Sequence, residues 1–254
     1  MSVYTRSGDL FVPTVHARGP WDPDAQHGGA PAALVARAID RLAPDMRLAR
    51  LTLEFVGAVP LAPLAVHAEI VKPGRRFQIA EVRLSSDGRE VVWARASLIR
   101  SEAMEVPPSQ HPAPLEPGPE TVPRNLYAAD TDGFGLTAVD LRFVRGDFGA
   151  PGPARTWARL DMPLVEGEQP TPVQRALAAA DFGNGVSSVA HWDDWLFVNT
   201  ELTVHLHRDP EGEWVGLDAG TVVEPNGSGL AVSILHDRRG PIGRAAQALF
   251  VAPR

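Results

Sequence analysis

The sequence predicts an α+β fold built from two repeats, each with a long antiparallel sheet wrapped around a central helix. Each half of the chain contains one Ala-rich segment whose apolar residues recur at helical spacing. Each such segment is followed by four stretches of alternating apolar and polar residues, separated by turns rich in Pro, Gly and Asp. Because no helix lies between these strands, a doubly wound parallel sheet is excluded, and the single helix must cover the apolar face of its sheet.

The first half opens with a strand predicted at residues 8–18, followed by a loop that ends in His27-Gly28-Gly29. A helix is predicted at 30–42, where Pro31 falls in the first turn and is tolerated because that turn needs no internal N–H donor. After Pro44 the apolar period changes to two, which is typical of half-buried strands. The strands predicted there are 47–58, 64–71, 76–85 and 90–99.

The second half repeats this order of elements. Its helix is predicted at 171–182, and turn residues again separate the strands that follow. The predicted strands are 138–145 and 154–161 before the helix, and 196–207, 213–223, 229–237 and 241–251 after it.

Two pairs of residues indicate an internal duplication. Leu53 aligns with Leu202 and Arg95 with Arg244, at the same offset of 149 residues. Two sheets of this kind would pair edge to edge, which removes exposed strand edges. The stretch between the repeats is Pro-rich and polar, with too few apolar residues for a core of its own. The expected divisions are an N-terminal domain at 1–104, a linker at 105–137 and a C-terminal domain at 138–254.

The composition excludes several classes of protein. The 254 residues include no Cys, which excludes disulfides, thiolate metal sites and a Cys nucleophile. The formal net charge is −7, whereas nonspecific nucleic-acid binding needs a basic surface. No apolar run approaches the roughly 20 residues that span a bilayer, and the N-terminus lacks the pattern of a signal peptide. We therefore expect a cytoplasmic protein with no nucleic-acid partner and no membrane span.

Four short segments combine polar groups with predicted helix ends or strands. They are His27-Gly28-Gly29 before the first helix, Ala179-Ala180-Asp181-Phe182 at the end of the second helix, Asn199-Thr200 followed by Thr203-Val204-His205-Leu206-His207-Arg208, and Gly243-Arg244-Ala245-Ala246-Gln247 in the last strand. Together, in this order and with the duplication, they make the chain resemble the double-hotdog acyl-CoA thioesterases of the thioesterase II type. The resemblance covers both halves and leaves out the linker.

The resemblance implies a double-hotdog fold and hydrolysis of an acyl-CoA thioester to a free acid and coenzyme A. In that family an Asp, a hydroxyl or amide side chain and a Gln orient the water that attacks the thioester, and no acyl-enzyme forms. By position the Asp corresponds to Asp181 and the Gln to Gln247, while the third residue is Asn199 or its neighbour Thr200. No cofactor or metal is expected, the partner is an acyl-CoA substrate, and a homo-oligomer stays open.

The chemistry of the residues supports the same candidates and leaves alternatives open. Asp181 ends an apolar helix, where a carboxylate is costly to bury unless it is hydrogen-bonded or used; it could instead bond local backbone at the helix end. Gln247 interrupts a run of small and apolar residues and needs partners if it points inward, but it could face solvent. Asn199 and Thr200 are neighbours on a strand, so we expect at most one of them to face the site.

Two further segments are candidates for binding. The glycines of His27-Gly28-Gly29 allow backbone N–H groups at a helix start to approach a carbonyl or phosphate, although a plain loop has the same composition. The segment Trp192–Trp195 follows Asp181 closely and is predicted to form part of a pocket wall. His205 and His207 share a strand face, but no carboxylate completes a recognisable ligand spacing, so no metal site is expected.

Two other functions stay open. A hotdog protein could bind acyl groups or acyl-CoA without catalysis, in which case Asp181 is tied up by local backbone and acyl-CoA binds without turnover. A hotdog dehydratase would need a His paired with an acidic residue across the site, and the second helix carries no His. The fold alone does not decide between these functions, because function belongs to the site.

Overall fold

The computed structural model describes residues 1–125 and 132–254, which form a large antiparallel sheet with few helices. Within these residues the large sheet has 11 strands, and a separate sheet of two strands lies near the N-terminus. The predicted α+β class with long antiparallel strands is confirmed. None of the helices in the described part of the chain is long and apolar enough to cross a membrane.

In the first half, the predicted helix and the four strands after it are confirmed within three residues at each boundary. The single strand predicted at 8–18 is wrong. Gly8 and Asp9 form a turn between two short strands, and Gly8 has a φ of 60°, which glycine adopts at little steric cost. The elements are β1 (Tyr4–Ser7), β2 (Leu10–Pro13), a 3₁₀ turn (Val15–Ala17), α1 (Gly29–Leu42), β3 (Arg47–Phe55), β4 (Ala65–Lys72), β5 (Phe77–Ser86) and β6 (Arg89–Ile99).

In the second half, two predicted elements are divided. The helix predicted at 171–182 is two helices that meet at Asp181, and the strand predicted at 196–207 is interrupted at Thr200. The elements are a 3₁₀ turn (Pro119–Thr121), a one-turn π-helix (Phe134–Ala138), β7 (Val139–Asp147), β8 (Ala150–Leu160), α2 (Pro172–Ala180), α3 (Phe182–Val186), β9 (Trp195–Asn199), β10 (Glu201–Leu206), β11 (Val215–Val223), β12 (Ser228–Asp237) and β13 (Gly240–Pro253).

The two halves join edge to edge in one sheet, as the sequence predicts. β3 of the first half pairs with β10 of the second, and Leu53 lies directly opposite Leu202. The strand order is β4-β5-β6-β3-β10-β13-β12-β11-β8-β7, and β9 pairs with β13 outside this path. The central strands therefore have hydrogen-bonded neighbours on both sides, and the edges lie at β4 and β7.

The strand registers show the duplication but correct its offset. Pairing of β5 with β6 places Ala80 opposite Ala96, and pairing of β12 with β13 places Ala231 opposite Gln247. Each residue of the second pair follows its counterpart by 151 positions, so the predicted offset of 149 is wrong. A shift of two residues along a strand keeps every side chain on the same face, and matching residue identities alone did not distinguish the two registers.

The helices α1 and α2 form the centre of the core. They pack against each other, α1 also against β4, β5 and β6, and α2 against β8, β10, β11 and β12. Every residue of α1 from Gly29 to Arg37 is buried, so this helix is enclosed on all sides rather than along one stripe. Small Ala side chains allow the two helix backbones to approach closely, which brings the start of α1 beside Asp181 at the end of α2.

The segment predicted as a linker, 105–137, is partly packed onto the sheet. Leu115 is buried, and the Trp157 Nε1–H of β8 donates a hydrogen bond to the Pro117 carbonyl at 2.9 Å. These contacts attach the second part of the segment to the C-terminal half. Residues 126–131 of the predicted linker lie outside the described residues, and the domain division at these boundaries stays a prediction.

A partly buried ion pair connects α1 to the segment that precedes α2. Arg37 Nε and Nη2 each donate to the Glu168 carboxylate at 2.6 Å. These hydrogen bonds lower the pKa of Glu168, so the pair stabilises the fold above the ordinary Glu range and this contribution is lost as the pH falls through the lowered pKa. We expect Arg37→Met to lower the free energy of unfolding at neutral pH by about 1–3 kcal/mol, measured by urea denaturation.

The control for this prediction is Arg41→Met. Arg41 also contacts Glu168, at 3.0 Å, but its side chain is 60% exposed, so its loss should cost about 0–1 kcal/mol. We expect the loss of unfolding free energy in Arg37→Met to be smaller in acid, where Glu168 is protonated in the folded and the unfolded state. A deficit that is the same at neutral and acid pH would show that Arg37 stabilises the fold through packing and not through the ion pair.

Candidate active site

Asp181 lies at the junction of α2 and α3, with its side chain only 4% exposed. Its Oδ1 accepts hydrogen bonds from Asn199 Nδ2 at 2.9 Å and from Gln247 Nε2 at 3.1 Å, and its Oδ2 lies 3.0 Å from His27 Nδ1. The side chain makes no capping hydrogen bond to α3. The alternative in which Asp181 bonds local backbone is therefore wrong, and the residue meets side chains from three separate segments.

Gln247 points into the protein from β13 and is 2% exposed. Its Oε1 accepts from the backbone N–H of Asn184 at 2.9 Å, which fixes the orientation of the amide. Its Nε2 donates both to the Asp181 carbonyl and to Asp181 Oδ1, each at 3.1 Å. The solvent-facing alternative is wrong, and Gln247 ties the junction of α2 and α3 to the last strand.

A β-bulge separates the roles of Asn199 and Thr200. β9 and β10 both pair with β13, and one extra residue lies between them at Thr200. Asn199 reaches Asp181, whereas Thr200 is exposed and its Oγ1 faces the Ala248 carbonyl at 3.4 Å. The expectation that only one of the two meets the site is confirmed for contact with Asp181, and that residue is Asn199.

His27 lies beside Asp181 at the entry to α1. Its Nδ1 lies 3.0 Å from the backbone nitrogen of Gly29 and also 3.0 Å from Asp181 Oδ2. A ring nitrogen either accepts or donates, so the tautomer decides which of the two contacts is a hydrogen bond. The ring packs against Phe134 and Phe182, with centroid distances of 5.2 Å and 4.5 Å. The approach of His27 to Asp181 was not predicted.

Gly28 and Gly29 stand where the two helices touch. A Cβ on Gly28 would lie 2.8 Å from Asp181 Oδ2, and a Cβ on Gly29 would lie 2.5 Å from the Ala178 carbonyl oxygen of α2. The absence of a side chain at these positions is therefore what lets the start of α1 contact the carboxylate. Gly28 is also the N-cap of α1, and its N–H donates to no group within the described residues.

The first half has no counterparts of the two amides that donate to Asp181. At the offset of 151 residues, Leu48 corresponds to Asn199 and Ala96 to Gln247. β3 has a register irregularity just after Leu48, so even the bulge is repeated while the amide is not. The duplicated scaffold therefore carries the two amide donors in its second half, and His27 and Gly28 are contributed by the first.

One cavity opens directly at these residues. Its volume is about 300 Å³, and its lining includes His27, Gly28, Asp181, Asn199 and Thr200. We call it the Asp181 cavity. Gln247 and Gly29 do not line it; they lie behind the carboxylate and behind His27.

A second cavity adjoins the first, with a volume of about 450 Å³. It is lined by Phe134 and Phe182 and is called the Phe134 cavity. His27, Trp21 and Trp192 line both cavities, and the two Trp rings stack with centroids 4.5 Å apart. The prediction that the segment starting at Trp192 forms a pocket wall is confirmed for Trp192.

Sequence reasoning missed several of these residues. Asn184 was not among the predicted site residues, yet its backbone N–H donates to Gln247, and its Nδ2 donates to the Phe197 carbonyl at 3.1 Å. The Phe134 and Phe182 rings had no local pattern that would mark them as a cavity lining. The one available signal was the unusual run of Gly and Asn directly after the candidate Asp.

Comparison with known proteins identifies the family. Residues 17–100 match the sequence model of the acyl-CoA thioesterase N-terminal domain, and residues 108–251 match that of the acyl-CoA thioesterase C-terminal domain. The chain belongs to the acyl-CoA thioesterase family. No curated protein matches the sequence.

Solved structures show the fold of this thioesterase-family chain. A conserved hotdog-fold protein of unknown function from Alicyclobacillus acidocaldarius superposes with a TM-score of 0.77, at 18% identity over 98% of this chain and 95% of that one. An acyl-CoA thioesterase II from Mycobacterium marinum superposes with a TM-score of 0.68, at 19% identity over 98% and 94% of the two chains. At these identities the likeness establishes the hotdog fold alone.

Proposed function

We propose that this chain hydrolyses an acyl-CoA thioester to a free acid and coenzyme A, by direct attack of water activated by Asp181. The observation that carries the proposal is that the two oxygens of the Asp181 carboxylate have different neighbours. Oδ1 is occupied by the amide donors of Asn199 and Gln247, while Oδ2 lies on the side of His27 and Gly28. Oδ2 is thus the atom available to accept a proton from water in the Asp181 cavity.

In the proposed reaction, the oxygen of a water attacks the carbonyl carbon of the thioester as its proton passes to Asp181 Oδ2. The tetrahedral intermediate collapses by breaking the C–S bond, and the leaving thiolate of coenzyme A takes the proton from Asp181 Oδ2, which restores the carboxylate. Asn199 and Gln247 are positioning residues, because they hold the carboxylate in one orientation and contact no reacting atom themselves. His27 limits the space beside Oδ2 and is proposed to orient the water and the substrate carbonyl.

The N-terminus of α1 supplies the proposed oxyanion donor. The Gly28 N–H is not used within the described residues, it lies in the cavity wall, and it stands at the positive end of a helix of 14 residues. A backbone donor at a helix start stabilises the negative charge that develops on the carbonyl oxygen without any reorganisation. His27-Gly28-Gly29 therefore acts in the proposal as the substrate-binding segment.

The double-hotdog architecture is part of the same proposal. The repeated register and the two packed helices support two hotdog units, each with its sheet around one helix, spanning 1–104 and 138–254 with 105–137 between them. The second unit would contribute Asp181, Asn199 and Gln247, and the first His27 and Gly28, so neither unit has the complete site.

The amide of Asn199 offers a specific test of this arrangement. Asn199→Ala removes one of two donors to Asp181 Oδ1, and we expect kcat for acyl-CoA hydrolysis to fall about 10–100-fold, since a hydrogen bond to a charged group is lost. Thr200→Val, one residue away, should lower kcat much less. A larger loss of kcat in Thr200→Val than in Asn199→Ala would show that Thr200, and not Asn199, acts with Asp181 and Gln247.

The function itself is tested by release of free thiol from a panel of acyl-CoAs, from short to long and aromatic. Turnover of any member supports the hydrolase. The alternative is a hotdog protein that binds acyl-CoA without catalysis. Saturable binding of an acyl-CoA by calorimetry, together with no thiol release across the panel, would contradict the hydrolase and support that alternative.

The contact between His27 and Asp181 favours a second candidate, a dehydratase acting on an acyl thioester. The expectation that no His would pair with the acid is wrong, because the His comes from the turn before α1 and not from the second helix. A dehydratase predicts reversible hydration of a 2-enoyl-CoA without release of thiol. The hydrolase predicts thiol release from the saturated and the unsaturated thioester, with no hydrated product.

A further inference from the structure

Arg18 is a partly buried cation without a partner on the wall of the Phe134 cavity. Its Nε is buried and has no hydrogen-bond partner, and no ion pair joins its guanidinium to a carboxylate of the described residues. A guanidinium is always charged at physiological pH, and an uncompensated charge away from water is costly. The Arg18 Nε–H therefore lacks an acceptor among the described residues.

Other arginines with limited exposure have a partner for the guanidinium. Arg47 donates to the Leu206 carbonyl and Arg50 to Ser97 Oγ, and three more meet carboxylates. The Arg37 guanidinium meets Glu168, that of Arg175 meets Glu213, and that of Arg208 meets Asp237. The side chain of each of these arginines is at most 26% exposed and has a carboxylate within 3.1 Å. Arg18 differs from these arginines because its guanidinium donates to no group of the described residues, and it lines a cavity.

A second unused donor lies in the same cavity wall. Trp192 Nε1 is buried and has no hydrogen-bond partner. Two donors without acceptors favour a ligand group that brings oxygen acceptors, and the charged one favours an anion. The carboxylates of Asp132 and Asp193 also line this cavity, but both residues are exposed to water and neither forms an ion pair with Arg18. Arg254, a second cation of the lining, is exposed as well.

The position of Arg18 relative to the thioester decides which anion it meets. The Arg18 carbonyl accepts from the Phe134 N–H at 2.9 Å, and the Phe134 ring lies 5.2 Å from the ring of His27, which contacts Asp181. The phosphates of coenzyme A are separated from the reacting sulfur by the long pantetheine arm. Arg18 is therefore attached to the cavity that begins at His27 and is lined by the rings of Phe134 and Phe182, and an apolar cavity of this kind suits the acyl part of the substrate.

We propose that the Phe134 cavity takes the acyl group and that Arg18 binds a carboxylate at its far end. The substrate class is thus an acyl-CoA whose chain ends in a second carboxylate, with the chain methylenes against Phe134 and Phe182 and the carboxylate on Arg18, assisted by Trp192 Nε1. The inference rests on the proposed thioester hydrolysis and names its substrate class. Arg18 is a specificity-determining residue in this account and takes no part in the chemical step.

The test compares substrates of equal carbon number with and without the terminal carboxylate, such as adipyl-CoA against hexanoyl-CoA. We expect Arg18→Met to lower kcat/KM for adipyl-CoA about 10–100-fold, mainly through KM, and to change that for hexanoyl-CoA less than about threefold. Arg18→Lys keeps the charge and should recover part of the loss. The control Arg244→Met removes an exposed arginine from β13 and should change neither value.

The same comparison is repeated with N-acetylcysteamine thioesters, which lack the phosphates. Persistence of the adipyl-selective loss in Arg18→Met supports the proposal. Its disappearance would show that Arg18 contacts the phosphates of coenzyme A and would overturn the proposal, as would equal losses for adipyl and hexanoyl thioesters. If the wild type hydrolyses no thioester, the proposed function fails. In that case, quenching of tryptophan fluorescence by free adipate, compared with hexanoate, tests the binding role of Arg18 alone. Preferential binding of adipate by the wild type that is lost in Arg18→Met supports the proposed carboxylate site. Equal binding of adipate and hexanoate by the wild type overturns the proposal.

Discussion

Asp181→Asn is expected to lower kcat for acyl-CoA hydrolysis by about 10²–10⁴-fold, because a general base contributes a factor of this size. The asparagine amide oxygen can still accept the hydrogen bonds that Asn199 and Gln247 donate to Oδ1. The fold and the binding of acyl-CoA should therefore be retained while proton acceptance is lost. Steady-state thiol release, calorimetric binding of acyl-CoA and thermal unfolding of the same preparation measure the three quantities.

The matched control for this change is Asp45→Asn. Asp45 is exposed and follows α1. Its substitution by Asn removes the same charge at a position that does not contact the site. It should leave kcat within about twofold of wild type, since exposed charges contribute little. Unchanged hydrolysis by Asp181→Asn across every acyl-CoA that the wild type cleaves would remove Asp181 from the mechanism.

Gly29→Ala is expected to be the most destabilising of the small substitutions near the site. The added methyl group would lie 2.5 Å from the Ala178 carbonyl oxygen and 2.9 Å from Phe134 Cε1, so α1 and α2 must separate. Overpacking of this kind costs about 1–3 kcal/mol, although Gly to Ala in an unstrained helix is normally favourable. The free energy of unfolding in urea measures the cost, and kcat should fall as well because the start of α1 moves away from Asp181.

Gly220→Ala serves as the control for that prediction. Gly220 lies in β11, and a Cβ built there has no neighbour within 4 Å. Its substitution should change the free energy of unfolding by no more than about 0.5 kcal/mol. A Gly29→Ala protein as stable as Gly220→Ala would show that the contact between the two helices relaxes freely.

The overall organisation was predictable because it depends on local, repeated patterns. Strand periodicity and turn residues located β4, β5 and β6 and their counterparts β11, β12 and β13 within two residues at each boundary. The positions of Asp181 and Gln247 were predictable only as one of two alternatives. A polar residue in an apolar stretch either faces solvent or needs partners, and here both find partners in each other.

What could not be predicted depends on single-residue geometry or on distant contacts. The bulge at Thr200 selects Asn199 by inserting one residue into a strand, and no local composition marks it. The approach of His27 to Asp181 joins residues 154 positions apart and follows from how closely α1 and α2 pack. The lack of a partner for Arg18 Nε among the described residues likewise depends on distant contacts and has no local signal in the sequence.

The central claim, direct attack by a water that Asp181 activates, is tested most directly by a single turnover in H₂¹⁸O with enzyme in excess over acyl-CoA. Direct attack predicts that the acid from the first turnover carries one ¹⁸O and that the protein mass is unchanged throughout. Attack by the Asp181 carboxylate itself would form an acyl anhydride on the enzyme. This intermediate would raise the protein mass by the acyl group during the turnover. If water then attacks the Asp181 carbonyl carbon, the first-turnover acid carries unlabelled oxygen from Asp181 and the label remains in the protein. Either result would contradict this account.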